Sequence, residues 1–438
     1  MQPRIYLSVL VIALFSSAKS QEKQKIQTFY DQGQLKEAYF ILDGDSSKVD
    51  GDYAMYDPMG NTIVTGSFDA GSKQGVFTNF YPDGTLQRTT NYINNLRQGI
   101  TQVYASNGQL IQEATFKDDT LVGEIKRFDE DGKLKGSTRF DNGKPDGPVL
   151  SYFDNGKVKE ETNYQNGKPN GLTRQYYQTG NLKLEATYQN GLLNGEYKTY
   201  YPSGQLELEA FNDQGSKSGI LKTYHENGQL KSTGVYKDGG LSGDYLAYFS
   251  NGAIKSKYNY KSGYRAGRNL DYFENGKIKT QAIYSNSGKN VTIEEYSAKE
   301  ALIGKKKLLD ERPDGTWTFW EENGKDFRLI ENYEKGKLNG LRTTFEKGRK
   351  ATEVNYKNGR KSGPASTFYA NGSLMIQQHY ELDRLHGELI KYHKNGQVEY
   401  RGKYLRNKRN GTWTYYDKKG TLVEERNYDM GKQIEAAN

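Results

Sequence analysis

Asp154-Asn155-Gly156-Lys157-Val158 is the stretch that decides the fold, because near-copies of it return at a fixed interval along the chain. Glu226-Asn227-Gly228-Gln229-Leu230 and Glu274-Asn275-Gly276-Lys277-Ile278 are two of them. The glycine recurs as Gly60, Gly84, Gly108, Gly132, Gly156, Gly180, Gly204, Gly228, Gly252 and Gly276, then as Gly324, Gly348, Gly372, Gly396 and Gly420. Glu300 alone breaks the series. An earlier turn, Tyr30-Asp31-Gln32-Gly33-Gln34-Leu35, adds a first unit slightly longer than the rest, for about 17 units in all. The period is about 24 residues, and a period of about 20 to 50 residues marks a repeat architecture.

Positions are counted from this glycine. Position −4 is aromatic, as in Phe80, Tyr152 and Tyr200, with Thr344 the departure. Position +2 is aliphatic, as in Leu86 and Val158, and position +8 is a second aromatic, as in Phe68, Tyr92, Tyr164 and Tyr260. Short β-rich runs between glycine turns predict a meander of antiparallel hairpins. Pro82 and Pro202, at −2, choose the turn. A two-residue Asn-Gly loop needs positive φ at both central positions, whereas proline is held near −65°. A type I turn with the glycine in a left-handed bulge fits instead. It sets Phe80 opposite Leu86, and alternation then assigns the +2 aliphatics, the small side chains at +6 (Ala114, Thr162, Ala186, Ala282) and the +8 aromatics to one face. At the other end, Asn142-Gly143-Lys144-Pro145-Asp146-Gly147 is expected to close in a Pro-Asp-Gly type I turn.

The fold class that follows is all-β: an elongated single-layer antiparallel meander of about 17 hairpin repeats and about 34 short strands. Its burial must come from aromatics, because apolar residues are 34% of the chain while it holds 36 tyrosines. The expected organisation is a leader at 1–20, a repeat array at 21–285, a degenerate repeat or hinge at 286–312 with room for a short helix, a second array at 313–431 and a tail at 432–438.

The leader has Arg4, an apolar run from Ile5 to Phe15 and Ala18-Lys19-Ser20 before Gln21, the pattern of a cleaved export signal. That run is too short to cross a bilayer, which needs about 20 residues. Its removal leaves 60 basic and 54 acidic residues, a net charge of +6 spread through the repeats. Such a distribution gives no nucleic-acid footprint, and no transmembrane segment is expected. Cysteine is absent, so an exported chain of this kind holds together by repetition rather than by disulfides.

The hairpins, seen in Tyr188-Gln189-Asn190-Gly191-Leu192-Leu193-Asn194-Gly195-Glu196-Tyr197 and Tyr200-Tyr201-Pro202-Ser203-Gly204, resemble the MORN repeat, most closely its bacterial variant, the MORN_2 or YwqK-type antitoxin-like family. That resemblance implies a binding or scaffolding role without catalysis.

The four histidines do not read as a metal site. His225 and His393 occupy the −3 slot filled elsewhere by Phe153, Tyr177 and Tyr201, as substitutes for a packed aromatic. Neither an activated nucleophile nor a paired acid site is expected, and no cofactor. The candidate ligand stripe is the −3 row itself: Phe153, Tyr177, Tyr201, His225, Phe249 and Phe273, flanked by Lys157, Lys183 and Lys255. Aromatics about 9.6 Å apart, two strand spacings, suit an extended protein or glycan partner. The expectation is an exported, non-enzymatic binding or scaffolding surface at the bacterial envelope, located in the periplasm, on the outer surface or outside the cell. The alternative is an antitoxin-like inhibitor of a partner protein.

Overall fold

The computed structural model describes residues 22–435, so the expected leader lies outside the described residues. Every regular element described is a β-strand. They form one open antiparallel sheet of 39 strands, in which successive strands pair across each turn and the two halves of a broken strand share one partner. No described helix is long and apolar enough to cross a membrane. Two compact units, Met1–Leu192 and Leu193–Asn438, make up the chain, and each repeats the same construction. The strand count exceeds the expected one because strands break at Asp50, Ala266, Asp314 and Asn339, and because Lys432–Ile434, in the expected tail, pairs with Leu422–Asp429.

The glycine turn has the expected geometry. Phe153 N donates to Lys157 O and Gly156 N to Phe153 O, both at 2.9 Å, and Gly156 has φ +80°. Pro82 sits in the same frame, with Gly84 N donating to Tyr81 O at 2.9 Å. Gly84, Gly108, Gly132, Gly156, Gly180, Gly204, Gly228, Gly252 and Gly276 all have φ between 80° and 99°. Glu300 takes the same turn at φ +66°, with its N–H on Ser297 O, although a Cβ in that conformation costs about 1–2 kcal/mol. Strands Asn290–Tyr296 and Leu302–Leu309 flank it and pair with each other. The short helix expected there is therefore absent; segment 286–312 is a β-hairpin, but a degenerate one. Residues 286–289 make a four-residue loop where the other hairpins have two, and strand Asn290–Tyr296 pairs with its predecessor without the usual glycine bulge. Its basic run is ion-paired, Lys305 to Glu294, Lys306 to Glu295 and Lys307 to Asp314.

Thr344 departs for a related reason. The turn at Gly324 is one residue longer, with Glu321 N bonded to Asp326 O, while Lys347 and Gly348 form a tight two-residue loop joining Glu346 to Arg349. The insertion and the deletion cancel, and the period survives.

Two expectations are corrected. Asn142 and Gly143 are both left-handed, φ +47° and +75°, and join Asp141 directly to Lys144, a type I′ turn. Pro145-Asp146-Gly147 lies inside strand Lys144–Tyr152, where Gly147 forms a bulge beside Arg139. The turn that proline forbids at one edge is thus the turn that Asn-Gly makes at the other.

The second correction concerns faces. Tyr152 does stand opposite Val158, but the register then steps to Ser151 opposite Glu160, leaving Lys159 bulged. That bulge moves the −4 aromatics to the face opposite the small side chains of position +6. Tyr224 Oη donates to Glu209 at 2.7 Å, and the same carboxylate takes Lys222 Nζ at 2.8 Å. Tyr224 and Lys222 are two apart on one strand and therefore share a face.

The core instead lines up on −7, +6 and +8. Phe77, Ile125, Leu221, Leu389 and Trp413, all at −7, are buried, as are Ala114, Ala186 and Ala282 at +6. Sizes complement one another between hairpins. A Cβ on Gly66 would fall 2.5 Å from the Phe77 ring, and one on Gly402 would fall 2.2 Å from the Trp413 indole. Rings then meet edge to face, Phe68 with Phe77 at 5.4 Å and Tyr404 with Trp413 at 5.2 Å. Cations at +13 cover the next +8 ring, with Arg97 4.0 Å from Phe116 and Arg409 5.3 Å from Tyr428.

Gly402→Ala is expected to destabilise its unit by about 1–3 kcal/mol through overpacking. Combining it with Trp413→Val should cost less than the sum of the two changes. Amide exchange of strand Lys408–Tyr416 measures this, and strict additivity would contradict the size match.

Candidate functional site

A −3 residue opens the type I turn, so its side chain leaves at the sheet edge and reaches toward the next hairpin. In the second unit Tyr201 Oη donates to Tyr224 O at 2.8 Å, and Tyr369 Oη to Tyr392 O at 2.7 Å. His225 Nε2 lies 3.1 Å from Tyr248 O and His393 Nε2 3.2 Å from Tyr416 O, contacts that an Nε2–H tautomer donates. In the first unit Tyr81 Oη donates to Tyr104 O at 2.9 Å. Histidine substitutes here for a tyrosine hydroxyl as well as for its ring.

Where −3 is aspartate the side chain turns back on its own loop. Asp57 accepts from Met59 N and Asn61 N, and Asp417 from Lys419 N and Thr421 N. Hydrogen bonds hold both carboxyls below the usual range, the Asn61 side chain contributing most at Asp57 and the Thr421 N–H most at Asp417.

The candidate stripe divides between the units: Phe153 and Tyr177 belong to the first, and Tyr201, His225, Phe249 and Phe273 to the second. All six are half-buried. Lys183 stands 5.8 Å over Tyr177, and Lys255 and Lys279 stand 5.8 Å over Phe249 and Phe273. Lys157 Nζ donates to Thr179 O. Burial, with Glu207 and Glu226, pushes the Tyr201 phenol up. The row thus packs one turn against the next.

The asparagine before the glycine joins the same ladder. Asn155 Oδ1 caps Lys157 N while its Nδ2 donates to Gln178 O at 3.1 Å, and Asn227 links to Ser250 O at 3.0 Å in the same way. At the opposite edge Asp118 N donates to Gln98 Oε1 and Asn190 N to Asn170 Oδ1. Of the remaining histidines, His386 Nδ1 is 3.3 Å from Glu381. Among the described residues no three His, Asp or Glu side chains gather as a metal site.

One row is left facing outward, and sequence reasoning missed it. Positions −8 and +7 pair across each hairpin on the face opposite the core. Val76 and Ile100 are exposed in the first unit, and Ile220, Val235 and Ile283 in the second. Ile220 stands directly opposite Val235 at 57% and 42% exposure. The row varies from one hairpin to the next: Val76 opposite Asn91, Ile220 opposite Val235, Arg268 opposite Ile283, Glu388 opposite Lys403. Disagreement between units at fixed positions was the signal available in the sequence.

Tyr201→Phe is expected to lose the bond to Tyr224 O and about 0.5–1.5 kcal/mol. Phe249→Tyr should gain part of that by reaching Tyr272 O. Exchange of the turn amides reads both changes. Equal stability of Tyr201→Phe and wild type would remove the hydroxyl from the ladder.

The MORN repeat variant model matches this chain at residues 73–94, 97–118, 121–142, 145–166, 169–190, 193–211, 217–238, 241–262, 267–286, 361–382, 385–405 and 409–430, more than half of its length. Among curated proteins nothing matches. Solved structures with some likeness include the TcdB2-TccC3 crystal structure without its hypervariable C-terminal region, at 12% identity and TM-score 0.15, over 89% of this chain and 24% of that one. A second is the TcdB2-TccC3-Cdc42 crystal structure, at 10% identity and TM-score 0.13, over 92% and 27%. A third is a Photorhabdus luminescens Tc holotoxin pore, at 14% identity and TM-score 0.15, over 95% and 25%. The chain spans about a quarter of those chains' length, and likeness at these TM-scores decides nothing about fold or function. With the family's unit matched twelve times over hairpins of one construction, the chain belongs to the MORN repeat variant family.

Proposed function

We propose that this chain is an exported, non-enzymatic binding or scaffolding protein of the bacterial envelope, and that its outward −8 and +7 row meets a protein or glycan partner. The observation that carries the reading is the division of labour within each hairpin. Core positions and the turn ladders at both edges are engaged by neighbouring hairpins, whereas Val76, Ile100, Ile220, Val235 and Ile283 of the outward row are exposed and its pairs differ in chemistry. Among the described residues the row bonds to the next hairpin only where +7 is an asparagine such as Asn91, whose Nδ2 donates to Gln98 O. A constant frame with a variable exposed row suits recognition, and MORN repeats suggest the same class of role. In the second unit the apolar pair Ile220 and Val235 lies near exposed Phe211, a grouping suited to a binding hot spot.

Catalysis has less support, because many carboxylates are tied to cations, as Glu331 is to Arg342 at 2.8 Å and Glu185 to Arg174 at 2.8 Å. Export rests on the leader pattern at 1–20.

Two measurements test the reading. Periplasmic protein should begin at Gln21 by mass spectrometry, and an intact Met1 in the cytoplasm would overturn export. Ile220→Glu with Val235→Glu should abolish capture of an envelope component that wild type retains, with the melting temperature unchanged. Undiminished capture would remove the outward row from the proposal.

A further inference from the structure

The type I′ edge carries a feature that neither the packing nor the outward row uses. In the second unit six consecutive strands on this edge begin with a cation: Arg312–Pro313, Lys337–Leu338, Arg360–Phe368, Arg384–Tyr392, Lys408–Tyr416 and Lys432–Ile434. Each cation follows two left-handed residues, as Arg384 follows Leu382 and Asp383, and Lys408 follows Arg406 and Asn407. All six are exposed, and among the described residues none forms an ion pair or side-chain hydrogen bond. Earlier in the same unit this place holds Ser216, Gly240 and Tyr264, so the block is not a by-product of the turn.

The side chains are also aimed. The Arg312 stem packs where a Cβ on Gly336 would stand, with its own Cβ 3.4 Å away. Lys408 covers Gly431 in the same way at 3.5 Å, and Lys337 covers Gly359 at 4.0 Å. These stems run along the edge toward the next hairpin. Carboxylates on the edge are Asp310, Glu311, Glu334, Glu381, Asp383 and Asp429. Asp383 accepts Lys361 N and Glu381 pairs with His386, and none bridges to the row.

One strand separates neighbouring cations, so they recur at about 9.6 Å. The charges of nucleic acid are far denser, one per about 1.7 Å of duplex axis or about 3.4 Å per strand. We infer that this edge binds a linear acidic polysaccharide carrying one anionic group per disaccharide, whose repeat is close to the spacing of the row. The contact is electrostatic and involves no bond-making step. It is separate from the outward row, so Ile220→Glu and Val235→Glu leave it intact and the two readings fail independently.

Hyaluronan, with one carboxylate per disaccharide, is the probe, titrated against the full chain at low salt. A variant with Arg360→Gln, Arg384→Gln, Lys408→Gln and Lys432→Gln should bind at least about tenfold more weakly and show a shallower salt dependence. A control of equal charge loss in the type I turns at the opposite edge of the same unit, with Lys325→Gln, Lys394→Gln, Lys418→Gln and Lys419→Gln, should bind as wild type does; circular dichroism checks that both fold. Equal weakening of the two variants would reduce the effect to net charge and overturn the inference. So would absence of hyaluronan binding, or tighter binding of duplex DNA or phosphatidylglycerol vesicles through the same four cations.

Discussion

A sheet with no second layer can bury a side chain only against its neighbours within the sheet. That constraint shapes every regular position of this chain. Trp413 reaches zero exposure because Gly402 leaves room beneath the indole, and because Tyr400, Tyr404, Tyr428 and Arg409 surround it. Phe77 does the same over Gly66 with other partners. Aromatics suit the task because a ring buries a large area and meets its neighbours edge to face, while Ile125, Leu221 and Leu389 fill the same position in other hairpins. Burial in such a sheet is nearest-neighbour burial, so stability accumulates hairpin by hairpin.

The same constraint acts at the edges. Lateral fit must be held to a fraction of a residue, or the −7 side chain of one hairpin misses the +6 gap of the last. Two ladders hold it. At one edge Tyr201 and His225 reach the next strand's carbonyl and Asn227 bridges to the next turn. At the other, Asp119 Oδ1 takes Arg97 N and Gln98 takes Asp118 N. An aromatic at −3 is thus explained by the frame before any ligand is invoked, which is why recognition is placed on the outward row and the type I′ edge.

Much of this is legible in the sequence. The period, the hairpins, the bulged type I turn and the facing of Phe80 and Leu86 follow from glycine spacing and two prolines. The second loop misleads because Pro145-Asp146-Gly147 has the composition of a turn, while Asn142-Gly143 ahead of it has already closed the hairpin. The face of Tyr152 misleads because the bulge at Lys159 leaves no mark in residue type. Position −7 escapes notice because it holds Phe77, Thr173, Asn269 or Trp413 according to the gap it must fill. Complementarity between hairpins is a pair property, and a scan of single positions does not display it.

Each repeat from one turn glycine to the next, such as Gly228 to Gly252, is one register-locked unit. Excising residues 229–252 joins Gly228 to Ala253 and restores every turn, pairing and ladder position. Excising 230–252, one residue fewer, sets the strands out of phase. Far-ultraviolet circular dichroism and thermal melting of the two deletions are the direct measurement. A register lock predicts a cooperative β-sheet melt close to that of the full chain for the first deletion, and a large loss of stability around the junction for the second. Equal behaviour of the two deletions would contradict it.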